Sequence, residues 1–232
     1  MYRIRLIRGK IKTGQGGFNL IEMAIVMIIL GTLLGGLIVP LATQHDAAKR
    51  KEVEAQLDEI HNALLGFAAS TGRLPCPSTA ASAGQSAPNT ATLACTSAHG
   101  FVPARTLGIV GSTGGGNLLI DPWQNPIRYS LSTAGGGAYS NNITQGLVPD
   151  FQICAQSACA NVLADNVVAV VFSTGDDGTV TTSVDQLENT DGDVLFVERT
   201  LSEAAGAEFN DHLVWLSPNT LIYQLVKSGQ IN

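Results

Sequence analysis

Charge is scarce in this chain: Asp, Glu, Lys and Arg make up 14% of its 232 residues, and aromatic residues 6%. With 45% hydrophobic residues, that shortage excludes global disorder, which needs high charge and low hydrophobicity. A basic excess is also missing, since the net charge is −6; a generally basic nucleic-acid binder is therefore not the first choice. There are four cysteines, too few for a miniprotein built on disulfides. The length suits one domain, or a domain with an extension. Catalytic signatures are missing as well. Residues 111–116 are Gly-rich, but no Gly-Lys-Ser/Thr ending follows and no Gly-x-Ser-x-Gly elbow occurs there, so they read as a surface connection. His99 and His212 have acids nearby, yet Asp211 and His212 are adjacent and would point to opposite faces of a strand. His45 and His61 have no cysteine or second histidine at ligand spacing and read as solvated or packed side chains. No hydrolase constellation emerges, and the expectation is a protein that is not an enzyme.

Acid is absent from the first 17 residues. Arg3, Arg5, Arg8, Lys10 and Lys12 give that segment +5, so the other 215 residues carry −11. From Met23 to Gln44 there is no charged side chain at all. About 20 helical residues, at 1.5 Å each, span the roughly 30 Å of a bilayer core. Lys49, Arg50 and Lys51 follow the run, so the charge bias is modest; it favours a cytoplasmic N-terminus with the remainder across the membrane. A cleaved secretory signal has a shorter apolar region and ends at small residues, whereas Pro40-Leu41-Ala42 makes a poor site. An uncleaved anchor fits the length. Neither accounts for Glu22, because a carboxylate opening a membrane helix costs a few kcal/mol, on the order of 3, unless it is paired.

The run Gly16-Gly17-Phe18-Asn19-Leu20-Ile21-Glu22 leads into Met23-Ala24-Ile25-Val26-Met27-Ile28-Ile29-Leu30-Gly31. It resembles the start of type IV pilins and the related type II secretion pseudopilins: a basic leader, Gly, Phe, Glu as fifth residue of the mature chain, then an apolar helix. Asn19 stands where Thr is more usual. The resemblance covers residues 1–45 and implies that a prepilin peptidase cuts between Gly17 and Phe18 and methylates the new amine of Phe18. Gly17 would let an extended backbone enter the protease cleft. The Phe18 ammonium and the Glu22 carboxylate of a neighbouring subunit would pair in an apolar setting, where either alone is strongly unfavourable. Glu22 is thus assigned to assembly. Gly31-x-x-x-Gly35 reads as a helix-packing face, and Gly36 and Pro40 read as interruptions of the helix.

Beyond the apolar run, Val53, Leu57, Ile60, Leu64 and Phe67 recur every three or four residues between charged positions, the mark of an amphipathic helix. One helix over 19–70 would be about 75–80 Å long, stopped by Gly72 and Pro75. Residues 76–120 read as loop. Runs at 127–131, 151–155, 167–173, 194–200 and 213–216 read as strands, with 167–172, apolar on both faces, as the central one. Ser217 followed by Pro218 starts a final helix over 220–228, with Gly229 past its end. Helix, then strands, then helix argues α+β.

Further along, Asp121-Pro122-Trp123-Gln124-Asn125-Pro126 resembles the Asp-Pro-Trp-Gly-Asn-Pro stretch of the major pseudopilin, with Gln124 in place of Gly. Its two X-Pro steps stiffen a turn and Trp123 is suited to pinning it to the sheet. The stretches 173–178 and 188–193 resemble the arms of that family's calcium loop; the resemblance implies Ca2+ held by Asp177, Asn189, Asp191 and Asp193. On the oxidising periplasmic side Cys76, Cys95, Cys154 and Cys159 are expected to form disulfides. Three pairings are open; Cys76–Cys95 and Cys154–Cys159 are favoured because each closes a local loop rich in Ser and Ala. Short Cys-x-x-Cys pairs, which a four-Cys zinc site would want, are absent.

The expectation is an α+β pilin fold, with a long transmembrane and amphipathic helix packed on an antiparallel sheet and a short C-terminal helix. The divisions are a leader over 1–17 that is removed, a transmembrane assembly segment over 18–42, an amphipathic segment over 43–72 and a periplasmic head over 73–232. The protein would be a single-pass inner-membrane protein that enters a pilus or pseudopilus filament, as a minor or tip-associated subunit given the long loops at 76–120. Its implied partners are the prepilin peptidase, sister pilins or pseudopilins, an inner-membrane platform protein and a cytoplasmic assembly ATPase; no nucleic acid is indicated. The alternative is a signal-anchored periplasmic binding domain that does not polymerise.

Overall fold

The computed structural model describes residues 17, 19–88, 91–204 and 206–231, and of residues 34–43 the backbone alone. The chain divides into two compact units, residues 1–47 and 48–232. In the smaller, the first part of helix α1 (Leu20–Thr71) exposes Leu20, Ile21, Met27, Ile28 and Leu33. The helix continues through Gly31, Gly35, Gly36 and Pro40. Among the described residues no helix is long and apolar enough to cross a membrane.

The larger unit is α+β. Its sheets are built from β1 (His99–Phe101), β2 (Arg128–Leu131), β3 (Phe151–Cys154), β4 (Val162–Val167), β5 (Ala169–Ser173), β6 (Leu195–Val197) and β7 (His212–Leu216). Short helices α2 (Ala104–Leu107), α3 (Ala134–Asn141) and α4 (Val184–Glu188) lie between them, and α5 (Pro218–Lys227) closes the chain. One sheet has the order β1-β2-β5-β7 and is antiparallel throughout. The other has the order β4-β3-β6, antiparallel between β3 and β4 but parallel between β3 and β6. The expected single antiparallel sheet is thus corrected to two, the smaller one mixed.

The apolar run around β5 belongs to both sheets. Val167 ends β4, Asn166 before it takes φ +57°, and Val168 steps into β5. Within β5 the two-residue period separates the faces. Ala169 and Val171 join the core formed with α1 and α5, whereas Val170 and Phe172 join Phe151, Ile153 and Phe196 of the second sheet. Burial on both sides is why this run shows no polar alternation.

On α1 the buried seam is Val53, Leu57, Ile60, Leu64 and Ala68. Phe67, expected to complete it, is half-buried beneath the Arg73 guanidinium at 5.8 Å; a straight helix drifts against a fixed spacing, so the next residue takes the seam. Gly72, at φ +74°, ends α1 in the left-handed conformation natural to glycine at that position. Across the core, Leu221 and Leu225 of α5 are fully buried. Ser217 Oγ caps α5 by accepting the Thr220 N–H at 3.2 Å. The region 76–120, read as loop, contains β1, which pairs His99 with Ser130 on β2.

Candidate functional site

The N-terminal residues come first in the chain. Gly17 is exposed, with nothing within 4 Å of where a Cβ would stand. Phe18 and the leader over 1–16 lie outside the described residues. The Asn19 carbonyl accepts the first helical N–H groups, from Glu22 at 2.9 Å and Met23 at 3.2 Å. Glu22 is exposed in the first turn, where the positive end of the helix dipole favours a carboxylate.

In the larger unit, the Asp121 turn and the loop after β5 hold each other. Asp121 is 2% exposed. Its Oδ1 accepts the N–H groups of Trp123 and Asn125, both at 2.9 Å, and its Oδ2 accepts Ser173 Oγ–H at 2.6 Å. Asn125 in turn donates to the Gly175 carbonyl at 2.6 Å. A Cβ on Gly178, at φ +63°, would stand 2.7 Å from Asn125 Oδ1; only glycine fits that approach. Trp123 stacks on His212 of β7, ring centroids 5.9 Å apart, with Lys49 Nζ 5.9 Å from its ring. The expected pinning of this turn to the sheet is thus made through an imidazole.

The four positions carried over for calcium divide between two places. The carboxylates of Asp191 and Asp193 converge with that of Glu188, their oxygens within 4.8 Å of one another. Burial raises the Glu188 pKa, and Asp191, Asp193 and Asp185 add like charge. Asp177 is not part of that cluster; it accepts from Gln186 Nε2 at 3.5 Å. Asn189 is buried and occupied at both ends: Nδ2 donates to the Val197 carbonyl and to Asp211 Oδ2, and Oδ1 accepts the Val197 N–H at 2.7 Å. The set does not fit a single ion, because Asn189 serves as the clamp between α4 and β6.

The sequence reading missed the acids behind that clamp. Asp211, 3% exposed, accepts from Asn189 through Oδ2 at 2.7 Å, while its Oδ1 is buried with no hydrogen-bond partner. Glu198 Oε2 is likewise buried and unpartnered. Burial pushes both carboxyls up to about 7; for Asp211 the charges of Asp177 and Glu198 add to the rise and the Asn189 and Gln186 side chains oppose it, while for Glu198 the Leu213 backbone opposes it. Both line one cavity of about 500 Å³, with Glu54, Asp58 and His212. Only their acidic type was visible in sequence, since tertiary packing is what buries them. His212 lies against Trp123 and bonds to neither Asp211 oxygen, in keeping with opposite faces for neighbours along an extended chain.

His99 bonds Ser130 Oγ through Nδ1 at 3.0 Å and lies 5.8 Å from the Phe151 ring. His61 is half-buried, and burial lowers its pKa against the pull of Asp58. The cysteines form Cys76–Cys95 and Cys154–Cys159, with Cα atoms 5.2 and 5.1 Å apart. No family model, curated protein or solved structure matches the chain.

Proposed function

We propose that this chain is a structural subunit of a type IV pilus or type II secretion pseudopilus, made as a prepilin and cut between Gly17 and Phe18. The observation that carries the reading is the register of Gly17, Phe18 and Glu22 against the start of α1: Glu22 falls in the first turn of a helix that exposes apolar residues from Leu20 to Leu33. Such a surface is out of place in water and calls for lipid or sister helices. The same helix, farther along, supplies the seam of the α+β core. One element would therefore serve both as filament strut and as scaffold of the outward-facing domain. Assembly follows from charge pairing. The Phe18 ammonium of one subunit neutralises Glu22 of another, and the high cost of leaving either unpaired in an apolar bundle fixes the axial register.

In this proposal the partners are the prepilin peptidase, sister subunits, the inner-membrane platform and the assembly ATPase. The chain resides in the inner membrane, N-terminus inside, before it enters the filament as a minor or tip-associated subunit. Its role is structural rather than enzymatic. Calcium at the four carried-over positions is not part of the proposal, because Asn189 and Asp177 are engaged elsewhere.

The test is the intact mass and N-terminal sequence of the protein from its native membranes. The expected chain begins at methylated Phe18. A chain beginning at Met1 in cells with active prepilin peptidase overturns the proposal and leaves the signal-anchored binding domain. Glu22→Ala separates the same two readings, since it should abolish entry into filaments while leaving an anchored domain in the membrane.

A further inference from the structure

We propose that the surface around α4 of one copy of this chain docks on the surface around α5 of the next. Val184 and Leu187 stand one turn apart on one side of α4 and are exposed, as are Val180 before the helix and Val194 after it. Apolar side chains exposed together mark a binding surface. The setting is acidic: Glu188, next to Leu187, and Asp193, next to Val194, converge with Asp191. Residues 176–193 contain no Lys or Arg. A surface that covers this one must therefore be apolar and bring positive charge.

The chain itself presents such a surface. Tyr223 and Val226 of α5 are exposed. Lys227, one turn on from Tyr223, holds its Nζ 5.9 Å from the Tyr223 ring centroid. It is the one charged side chain in residues 218–232 and belongs to neither ion pair found among the described residues. Beside Tyr223, a groove of about 520 Å³ lined by Leu147, Pro218 and Ile222 has room for an apolar side chain such as Leu187. The two surfaces lie on opposite sides of the four-stranded sheet. Leu221 and Leu225 of α5 join the core with Ala169 and Val171, whereas Asn189 holds α4 to β6, whose Phe196 packs with Val170 and Phe172. Each docked pair thus leaves one surface of each kind free, so the contact runs from copy to copy instead of closing as a two-fold dimer. It goes beyond the filament reading, since it needs two folded domains and no cut at Gly17.

The test is disulfide cross-linking of the full chain in its native membranes, with copper phenanthroline as oxidant; the four native cysteines are already paired. Leu187→Cys/Tyr223→Cys is compared with each single variant and with Val110→Cys/Tyr223→Cys, which uses an exposed loop residue instead. The expected result is a ladder of multimers from the first pair, at least about fivefold stronger than from the control pair, and no dimer from either single variant. Lys227→Glu should weaken the ladder about fivefold, and Glu188→Lys added to it should restore it. In the wild-type chain, a zero-length carbodiimide should join Lys227 of one copy to Glu188, Asp191 or Asp193 of another, read by mass spectrometry of the dimer band. That link decides if the cysteine variants disturb the native disulfides. Dimers from a single variant, equal yields from the control pair, a ladder unchanged by Lys227→Glu, or links only to other proteins overturn the proposal.

Discussion

Ser173, at the end of β5, donates its hydroxyl to Asp121 Oδ2 at 2.6 Å and so joins an interior strand of the four-stranded sheet to the turn that precedes β2. The bond closes a clasp: Asp121 also orders the turn through the Trp123 and Asn125 N–H groups, and Asn125 reaches back to the Gly175 carbonyl. Hydrogen bonds to a charged group contribute about 1.5–3 kcal/mol each, though they are not additive. Asp121→Ala leaves three donors without their acceptor, so we expect a loss of about 3 kcal/mol, read as a lower urea midpoint. A change below about 0.5 kcal/mol, typical of a plain surface substitution, would contradict the clasp.

The same turn contains a residue in an unfavourable conformation. Gln124 takes φ +75° and is exposed. For a side chain with a Cβ the left-handed region costs roughly 1–2 kcal/mol, which glycine avoids, partly offset by the greater freedom of glycine when unfolded. Gln124→Gly should therefore raise stability, by about 0.5–1 kcal/mol. The check is the thermal midpoint with both disulfides intact; a fall would mean that the Gln124 side chain makes a contact worth more than the strain.

The two disulfides should differ in what they contribute. Cys76–Cys95 closes a separation of 19 residues and Cys154–Cys159 one of 5. In the loop-entropy account these correspond to about 3 and about 2 kcal/mol. Replacing both cysteines of the longer loop by serine should thus lower the denaturation midpoint more than the same change in the shorter one. Equal losses would show that native contacts around Asp185, whose Oδ1 accepts the Ser157 N–H at 2.9 Å, carry part of the short loop's stability.

How far the sequence reveals this molecule depends on the range over which each feature is determined. The α1 seam follows from spacing alone, apart from the shift from Phe67 to Ala68, and β5 follows from its unbroken apolar run. Strand β4 is hidden because Ala164, Asp165 and Asn166 break its pattern and it lies at a sheet edge with one face to solvent. Strand β1 is hidden because His99-Gly100-Phe101 is short and sits within a Ser- and Gly-rich stretch. The parallel partnership of β6 depends on a pairing distant in sequence. Among the acids, Asp191 and Asp193 fall together because a tight turn brings them there. Asp211 and Glu198 line one cavity only because α1, the stretch after β6 and β7 meet around it, which no local spacing records.

The pH response offers a last check, centred on His99. Burial lowers its pKa, against the opposing pull of Asp193, Asp191 and Asp150. Its ring sits among Ser130, Phe151 and Phe196, and Arg128 lines the same small pocket. The folded state therefore binds the proton less readily than the unfolded chain, whose histidine titrates near pH 6.5. Stability from this group is complete above about pH 6.5 and is lost as pH falls toward the depressed folded value. Glu198 and Asp211, raised to about 7, act in the opposite direction, so the net curve alone cannot isolate the imidazole. The difference between wild type and His99→Gln can, since the other groups cancel to the extent that the sites are independent. That difference should move in favour of the variant as pH is lowered from about 8 to about 5. A difference that stays flat would show that the three aspartates offset the burial of the ring; one that moves toward wild type would show that they exceed it.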